Sequence, residues 1–215
     1  MTGITTIFWD NDGVLVDTEP LYYQATREIL AELGLEFTAE QYRQFVLVQN
    51  IGAFHLAELQ GMNEEAIAAL RRRRNARYAE LLSVTPTLID GAAATLRALA
   101  GTYRMGIVTS SWREHFEISH HASGLLQYID FVLTGNDFTH SKPDPEPYLK
   151  AIARSGSRPE ECLVVEDSER GLLAATRAGL RCVVIPRDMT RDSDFRNAYR
   201  VLHDITELPP LLARR

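Results

Sequence analysis

The run Ile4-Thr5-Thr6-Ile7-Phe8-Trp9 is apolar or β-branched throughout, the pattern of a strand buried on both faces. It stops at Asp10-Asn11-Asp12-Gly13. Between residues 18 and 82 no strand-like alternation appears, and the periodicity is helical. It predicts a helix over Glu19–Leu33 with Gly34 as its stop. A second helix opens at Thr38-Ala39-Glu40-Gln41, which reads as a capping box. Two more cover Gly52–Gln60 and Asn63–Leu82, and Val84–Asp90, broken by Pro86, reads as a return linker. Beyond it strands and helices alternate. Helices are predicted over Gly91–Ala100, Trp112–Ala122, Pro145–Ser155 and Arg170–Ala178, and strands over Met105–Val108, Phe131–Leu133, Cys162–Val165 and Cys182–Ile185. Val201-Leu202 reads as a short edge strand. This alternation predicts an α/β fold with a doubly wound, Rossmann-like parallel sheet and an inserted all-helical segment. The expected domains are a core of residues 1–16 and 84–215 and a helical cap of residues 17–83.

In such sheets ligands bind beyond the carboxyl ends of the strands. Three predicted strands end there in polar groups: Asp10 and Asp12, then Thr109 and Ser110, then Glu166 and Asp167. Alternation along a strand sends Asp10 and Asp12 one way and Asn11 the other. Two like charges this close repel unless a cation or an electrophile uses them. A plain turn needs one Asp, not an aligned pair. Oxygen ligands without Cys or His indicate Mg²⁺ rather than zinc. Lys142, in the proline-stiffened Ser141-Lys142-Pro143-Asp144-Pro145, can set an ammonium against the same anion. Donors, a cation and a carboxylate nucleophile together describe phosphoryl transfer. Taken singly, Lys142 as a surface ion pair and Thr109 as a helix N-cap are equally open readings.

Composition narrows the classes. The 215 residues suffice for one large domain, or one domain carrying an insertion. A net charge of −6 argues against nucleic acid and membrane surfaces as partners. No apolar run is long enough to span a bilayer, and no basic-then-apolar leader is visible at the N-terminus. A cytoplasmic protein, monomeric or weakly dimeric, is expected. The two cysteines, Cys162 and Cys182, are expected as buried thiols. His120-His121 diverge on a helix and read as surface residues, not a metal site. Arg71–Arg74 is the one charge run and reads as a solvated helix face. Arginine carries nearly all the positive charge, and only Lys142 and Lys150 are lysines, which singles out Lys142 as a compact ammonium kept for its chemistry.

The residues resemble the haloacid dehalogenase superfamily of phosphohydrolases. Its four signatures stand in order as Trp9-Asp10-Asn11-Asp12-Gly13-Val14-Leu15-Val16-Asp17, Val108-Thr109, Lys142-Pro143, and Val165-Glu166-Asp167-Ser168 with Gly171 after it. The wording Asp-Gly-Val-Leu-Val-Asp-Thr-Glu is similar to the sugar-phosphate phosphatase and beta-phosphoglucomutase branch. The resemblance implies that Asp10 is a nucleophile forming an aspartyl-phosphate, and that Asp12 protonates the leaving alcohol and then activates water. It implies that Thr109 binds the phosphoryl oxygens with help from Ser110, and that Lys142 neutralises charge. Asn11 and Gly13 would supply backbone N–H groups. Mg²⁺ would be held by Asp10, the Asp12 carbonyl and Asp167, with Glu166 assisting directly or through water. The helical cap would close over the site.

The implied function is Mg²⁺-dependent hydrolysis of small phosphorylated metabolites, with sugar phosphates as the expected class. Asp12 argues against haloalkanoate dehalogenation, since halide needs no proton. The absence of lysine from residues 18 to 82 argues against phosphonate cleavage. A phosphosugar mutase is the alternative. Against it, the mutase hinge histidine is here Tyr22, and its Gly-x-Ser-Arg segment corresponds to about Leu47-Val48-Gln49-Asn50. A non-catalytic binding protein on the same scaffold is a further alternative. Cap residues expected to touch substrate are Tyr22, Gln49, Asn50, His55 and Arg74, the last in a stretch that resembles the mutase around Arg74-Asn75-Ala76-Arg77-Tyr78.

Overall fold

The computed structural model describes residues 3–49 and 51–213. Six parallel strands form one sheet: β1 (Thr6–Trp9), β2 (Arg104–Val108), β3 (Phe131–Leu133), β4 (Cys162–Glu166), β5 (Arg181–Val184) and β6 (Arg200–Val201). Their order is β3-β2-β1-β4-β5-β6. The order reverses direction at β1, between β2 and β4, and this is the switch point where such sheets open a crevice. Trp9 pairs with Ile107 of β2 and with Val165 of β4. The strands next to β1 therefore end level with it.

The chain divides into two compact units, Met1–Asp17 with Leu88–Arg215, and Thr18–Thr87. In the first unit, helices α5 (Ala92–Leu99), α6 (Arg113–His120), α7 (Glu146–Ser155), α8 (Glu169–Arg177) and α9 (Leu208–Ala213) cover the sheet. Period-two alternation splits the core into two layers. Ile7, Trp9, Met105, Ile107 and Val165 pack with Leu96, Phe116 and Leu212, from α5, α6 and α9. Phe8, Val108, Val164 and Val184 pack on the opposite face with Tyr148, Ala151 and Leu172, from α7 and α8. Both cysteines are buried free thiols.

The second unit is helical: α1 (Glu19–Ala31), α2 (Ala39–Tyr42), α3 (His55–Leu59) and α4 (Glu64–Val84). The Thr38/Gln41 capping box opens α2 as read from sequence. Its helix then widens into a π-helical stretch over Arg43–Val48, which apolar periodicity does not distinguish from α. No described helix is long and apolar enough to cross a membrane.

Candidate active site

Strand register assembles the first group of polar side chains. One row beyond Trp9, the Asp10 N–H donates to the Val165 carbonyl at 2.8 Å, which sets Asp10 beside Glu166. Both follow the parity of Phe8 and Val164, so both face the α7 and α8 layer. Lys142 meets them there. Its Nζ donates to Asp10 Oδ1 at 2.7 Å, Glu166 Oε1 at 2.6 Å and the Val108 carbonyl at 2.9 Å. Three ammonium protons have three acceptors, and the lysine is buried. The surface ion pair open at the sequence level is thus replaced by a buried one.

Glu166 is held from every side. Its Oε1 also accepts from Tyr148 Oη at 2.6 Å, and its Oε2 from the Asp167 N–H at 3.3 Å and Ser168 Oγ at 3.2 Å. Gly171 makes room for it, because a Cβ at that position would lie about 2 Å from the Glu166 carboxylate. Asp10 differs. Among the described residues, Oδ1 is bonded to Lys142 and no hydrogen bond is recorded at Oδ2.

Burial pushes the Asp10 carboxyl above its ordinary value, and the Glu166 charge adds to this while Lys142 opposes it. Burial alone would lower Lys142, but Asp10 and Glu166 hold its ammonium above the usual lysine range. Oxygens of Asp10, Glu166 and Asp167 lie within 4.8 Å of one another. An all-oxygen set of this kind suits a hard divalent cation.

A second group forms around Asp12. Its Oδ2 accepts from Thr109 Oγ1 at 2.9 Å and from Ser111 Oγ at 2.8 Å. The Asp12 side chain is therefore turned to hydroxyls, outside the carboxylate cluster. Thr109 Oγ1 also accepts the Ser111 N–H at 3.0 Å. The Thr109 hydroxyl thus orients Asp12 here. Ser110 Oγ is buried without a hydrogen-bond partner among the described residues.

Three expectations change. The Gly13 N–H donates to the Val16 carbonyl at 2.7 Å, so it closes the turn and is not turned toward an anion. Glycine is required there for another reason: φ is +84°, and a Cβ would come 2.3 Å from Asp167 Oδ2. His120 is a buried residue, while His121 is exposed, because adjacent helical positions point about 100° apart, 3.6 residues making a turn. Arg74 departs in the same way from the exposed Arg71, Arg72 and Arg73; it is buried.

In the helical unit the Arg74 guanidinium lies 4.2 Å from the Tyr22 ring centroid. Its Nε donates to Asn75 Oδ1 at 2.8 Å and its Nη1 reaches Thr26 Oγ1 at 3.5 Å. Tyr22 and Arg74 are thus brought together. Gln49 is exposed, and His55 pairs with Glu58 at 3.4 Å. Asn50 lies outside the described residues.

Ser111, Tyr148 and His120 were not legible as site residues. Ser111 had a signal as the third hydroxyl of one triplet. Tyr148 reads only as one of the apolar positions of α7, with Ala151.

The sequence pattern of the family described as haloacid dehalogenase-like hydrolase matches residues 7–185. The protein CbbY of Rhodobacter capsulatus is 32% identical, over 89% of this chain and 89% of its own. Validoxylamine A 7'-phosphate phosphatase of Streptomyces hygroscopicus subsp. limoneus is 30% identical, over 93% of each. The crystal structure of CbbY from Rhodobacter sphaeroides in complex with phosphate superposes with a TM-score of 0.81 at 29% identity, covering 95% of this chain and 96% of that one. A variant of that protein is known in complex with xylulose-(1,5)bisphosphate.

Proposed function

The chain belongs to the haloacid dehalogenase-like hydrolases, and from that premise we propose that it is a phosphohydrolase acting on small phosphorylated metabolites through an aspartyl-phosphate on Asp10. The observation that carries the reading is the asymmetry of the Asp10 carboxylate. Lys142 holds Oδ1 at 2.7 Å, and the other oxygen is left to attack phosphorus.

The residues divide the work. Lys142 draws charge from Asp10 and from the incoming phosphoryl group. Asp12, aimed by Thr109 and Ser111, gives its proton to the leaving alcohol. It then takes one from the water that opens the acyl phosphate. Splitting one displacement into two in this way is covalent catalysis. Asp10 and Asp167, with the Asp12 carbonyl, would hold Mg²⁺, which supplies charge neutralisation at the transferring phosphoryl group. Glu166 spends both oxygens on protein donors, so its part is to fix Lys142 and the Asp167 backbone.

The helical unit is proposed to contribute to the choice of leaving group. Arg74 supports this assignment. A buried guanidinium normally carries a counter-charge, yet among the described residues its recorded hydrogen bonds go to the neutral Asn75 and Thr26. An anionic or polyhydroxyl substrate suits it. Relatives named for phosphorylated compounds support the same class. A cytoplasmic setting fits such substrates.

The test is a screen of sugar and polyol phosphates, read as free phosphate, with β-glucose 1-phosphate included with and without a bisphosphate activator. Phosphate release from at least one ester is expected. Isomerisation without release would replace the hydrolase reading with a mutase.

A further inference from the structure

Asn11, between the two site aspartates, is fully buried. Strand parity sends its side chain to the face opposite Asp10, where α6 packs. There its Oδ1 lies 2.7 Å from His120 Nε2, and His120 Nδ1 lies 2.9 Å from Ser123 Oγ. The Leu125 N–H donates to the same Ser123 oxygen at 3.2 Å. Burial lowers His120 to about 4, against a smaller opposing pull from Asp12. A neutral imidazole has one donor and one acceptor. The assignment that uses the shorter contact is Nε2–H to Asn11, with Nδ1 accepting the Ser123 hydroxyl at 2.9 Å rather than the His120 carbonyl accepting it at 3.3 Å. Donors then run in one direction, from Leu125 through Ser123 and His120 to Asn11.

The Asn11 side-chain nitrogen has no hydrogen-bond partner among the described residues, whereas the Asn11 backbone is occupied. Its carbonyl accepts from the N–H groups of Val14, Leu15 and Val16 at 3.2, 2.8 and 3.1 Å. The whole turn after Asp12 therefore hangs on Asn11, and one side-chain hydrogen bond ties Asn11 to α6. The same helix follows directly on Ser111, which together with Thr109 holds the Asp12 carboxylate. Thus α6 grips neighbouring residues from both ends, Asp12 through hydroxyls before its first turn and Asn11 through an imidazole at its last residue. A polar pair is costly at this depth unless mutually bonded, and an apolar pair would fill the space. A directional tie that fixes how β1 ends is what the polar pair adds.

We infer that His120 is a positioning residue for the proposed phosphoryl transfer, acting through Asn11 to set the directions in which Asp10 and Asp12 project. The inference rests on the phosphohydrolase reading. Displacing a reacting group by about 1 Å can cost roughly 100-fold in rate.

His120→Leu is therefore expected to lower kcat on an alkyl phosphate about 10- to 100-fold with KM nearly unchanged. The loss with p-nitrophenyl phosphate should be smaller, since that leaving group needs less help from Asp12. His120→Gln keeps a donor and should recover most of the activity. Asn11→Leu combined with His120→Leu removes both polar partners, so thermal stability should return while the kcat defect persists. Wild-type kcat in a folded His120→Leu or double variant would overturn the inference, and so would equal losses on the two esters. Nitrogen-15 NMR of the wild-type protein reads the tie without turnover. A neutral, Nε2-protonated His120 at pH 6 is expected, and a ring that titrates like a free histidine would also overturn it. A wild-type protein inert toward every ester would instead remove the hydrolase reading, with the NMR signature still standing.

Discussion

Lys142 shows how much one side chain can say. A compact ammonium with three protons meets three acceptors on Asp10, Glu166 and the Val108 carbonyl, a geometry that a planar guanidinium would not fit. Its identity was legible because the chain has only two lysines. Tyr148 was not, because its ring belongs to the core and its hydroxyl finds Glu166 only once α7 is packed. Removing that hydroxyl leaves a buried carboxylate short of one donor. Tyr148→Phe is expected to destabilise the protein by roughly 1.5–3 kcal/mol and to lower kcat more than it changes KM. Unchanged denaturant midpoint and unchanged kcat would contradict the role given to Glu166. The contact between His120 and the Asn11 side chain was illegible for the same reason as Tyr148. Their polar atoms meet across more than 100 residues of chain, as the separation of 109 records.

Among the elements, strands were read closely and helix ends less so. Strand β4 runs one residue further than its apolar pattern, to include Glu166, because the carboxylate is neutralised by Lys142 and sits in the sheet as an apolar residue would. Helix α9 was not predicted, and it carries Pro209 and Pro210. Both lie in its first turn, where backbone N–H groups have no intrahelical partner to lose. The segment before α7 brings Lys142 to the site and is braced by Glu146. That carboxylate accepts from the Thr139 and His140 N–H groups at 2.9 and 2.8 Å and from Lys150 at 2.9 Å. These bonds, the Thr139 N–H first among them, depress Glu146 from 4.5 to about 2. A carboxyl depressed in the folded state contributes stability that is present above its unfolded value and is lost as pH falls toward the folded one. Glu146→Gln should therefore lower Tm at pH 7, with the gap to wild type closing as pH falls from 4.5 to about 2. A gap that stays constant across that range would count against the brace.

At the scale of the molecule, a doubly wound sheet with a switch point at β1 explains why residues as far apart as Asp10, Thr109, Lys142 and Glu166 gather at one edge. The alternation of strands and helices made this legible, since polar residues ended three separate strands. Roles that depend on which way a hydroxyl or an N–H points, as at Thr109 and Gly13, were beyond it. Asp10, Glu166 and Asp167 bring three carboxylates together at that edge, and Mg²⁺ is the cation proposed to sit beside Asp10 and Asp167. Chelation with EDTA should silence turnover and Mg²⁺ should restore it, whereas turnover indifferent to chelation would refute the metal assignment. The most direct test of the account is capture of the covalent intermediate. Wild-type protein quenched in acid during turnover of radiolabelled p-nitrophenyl phosphate should retain label that hydroxylamine releases and that maps to the peptide containing Asp10. Asp10→Asn should retain none. Turnover without any acid-stable label, or label on another residue, would contradict it.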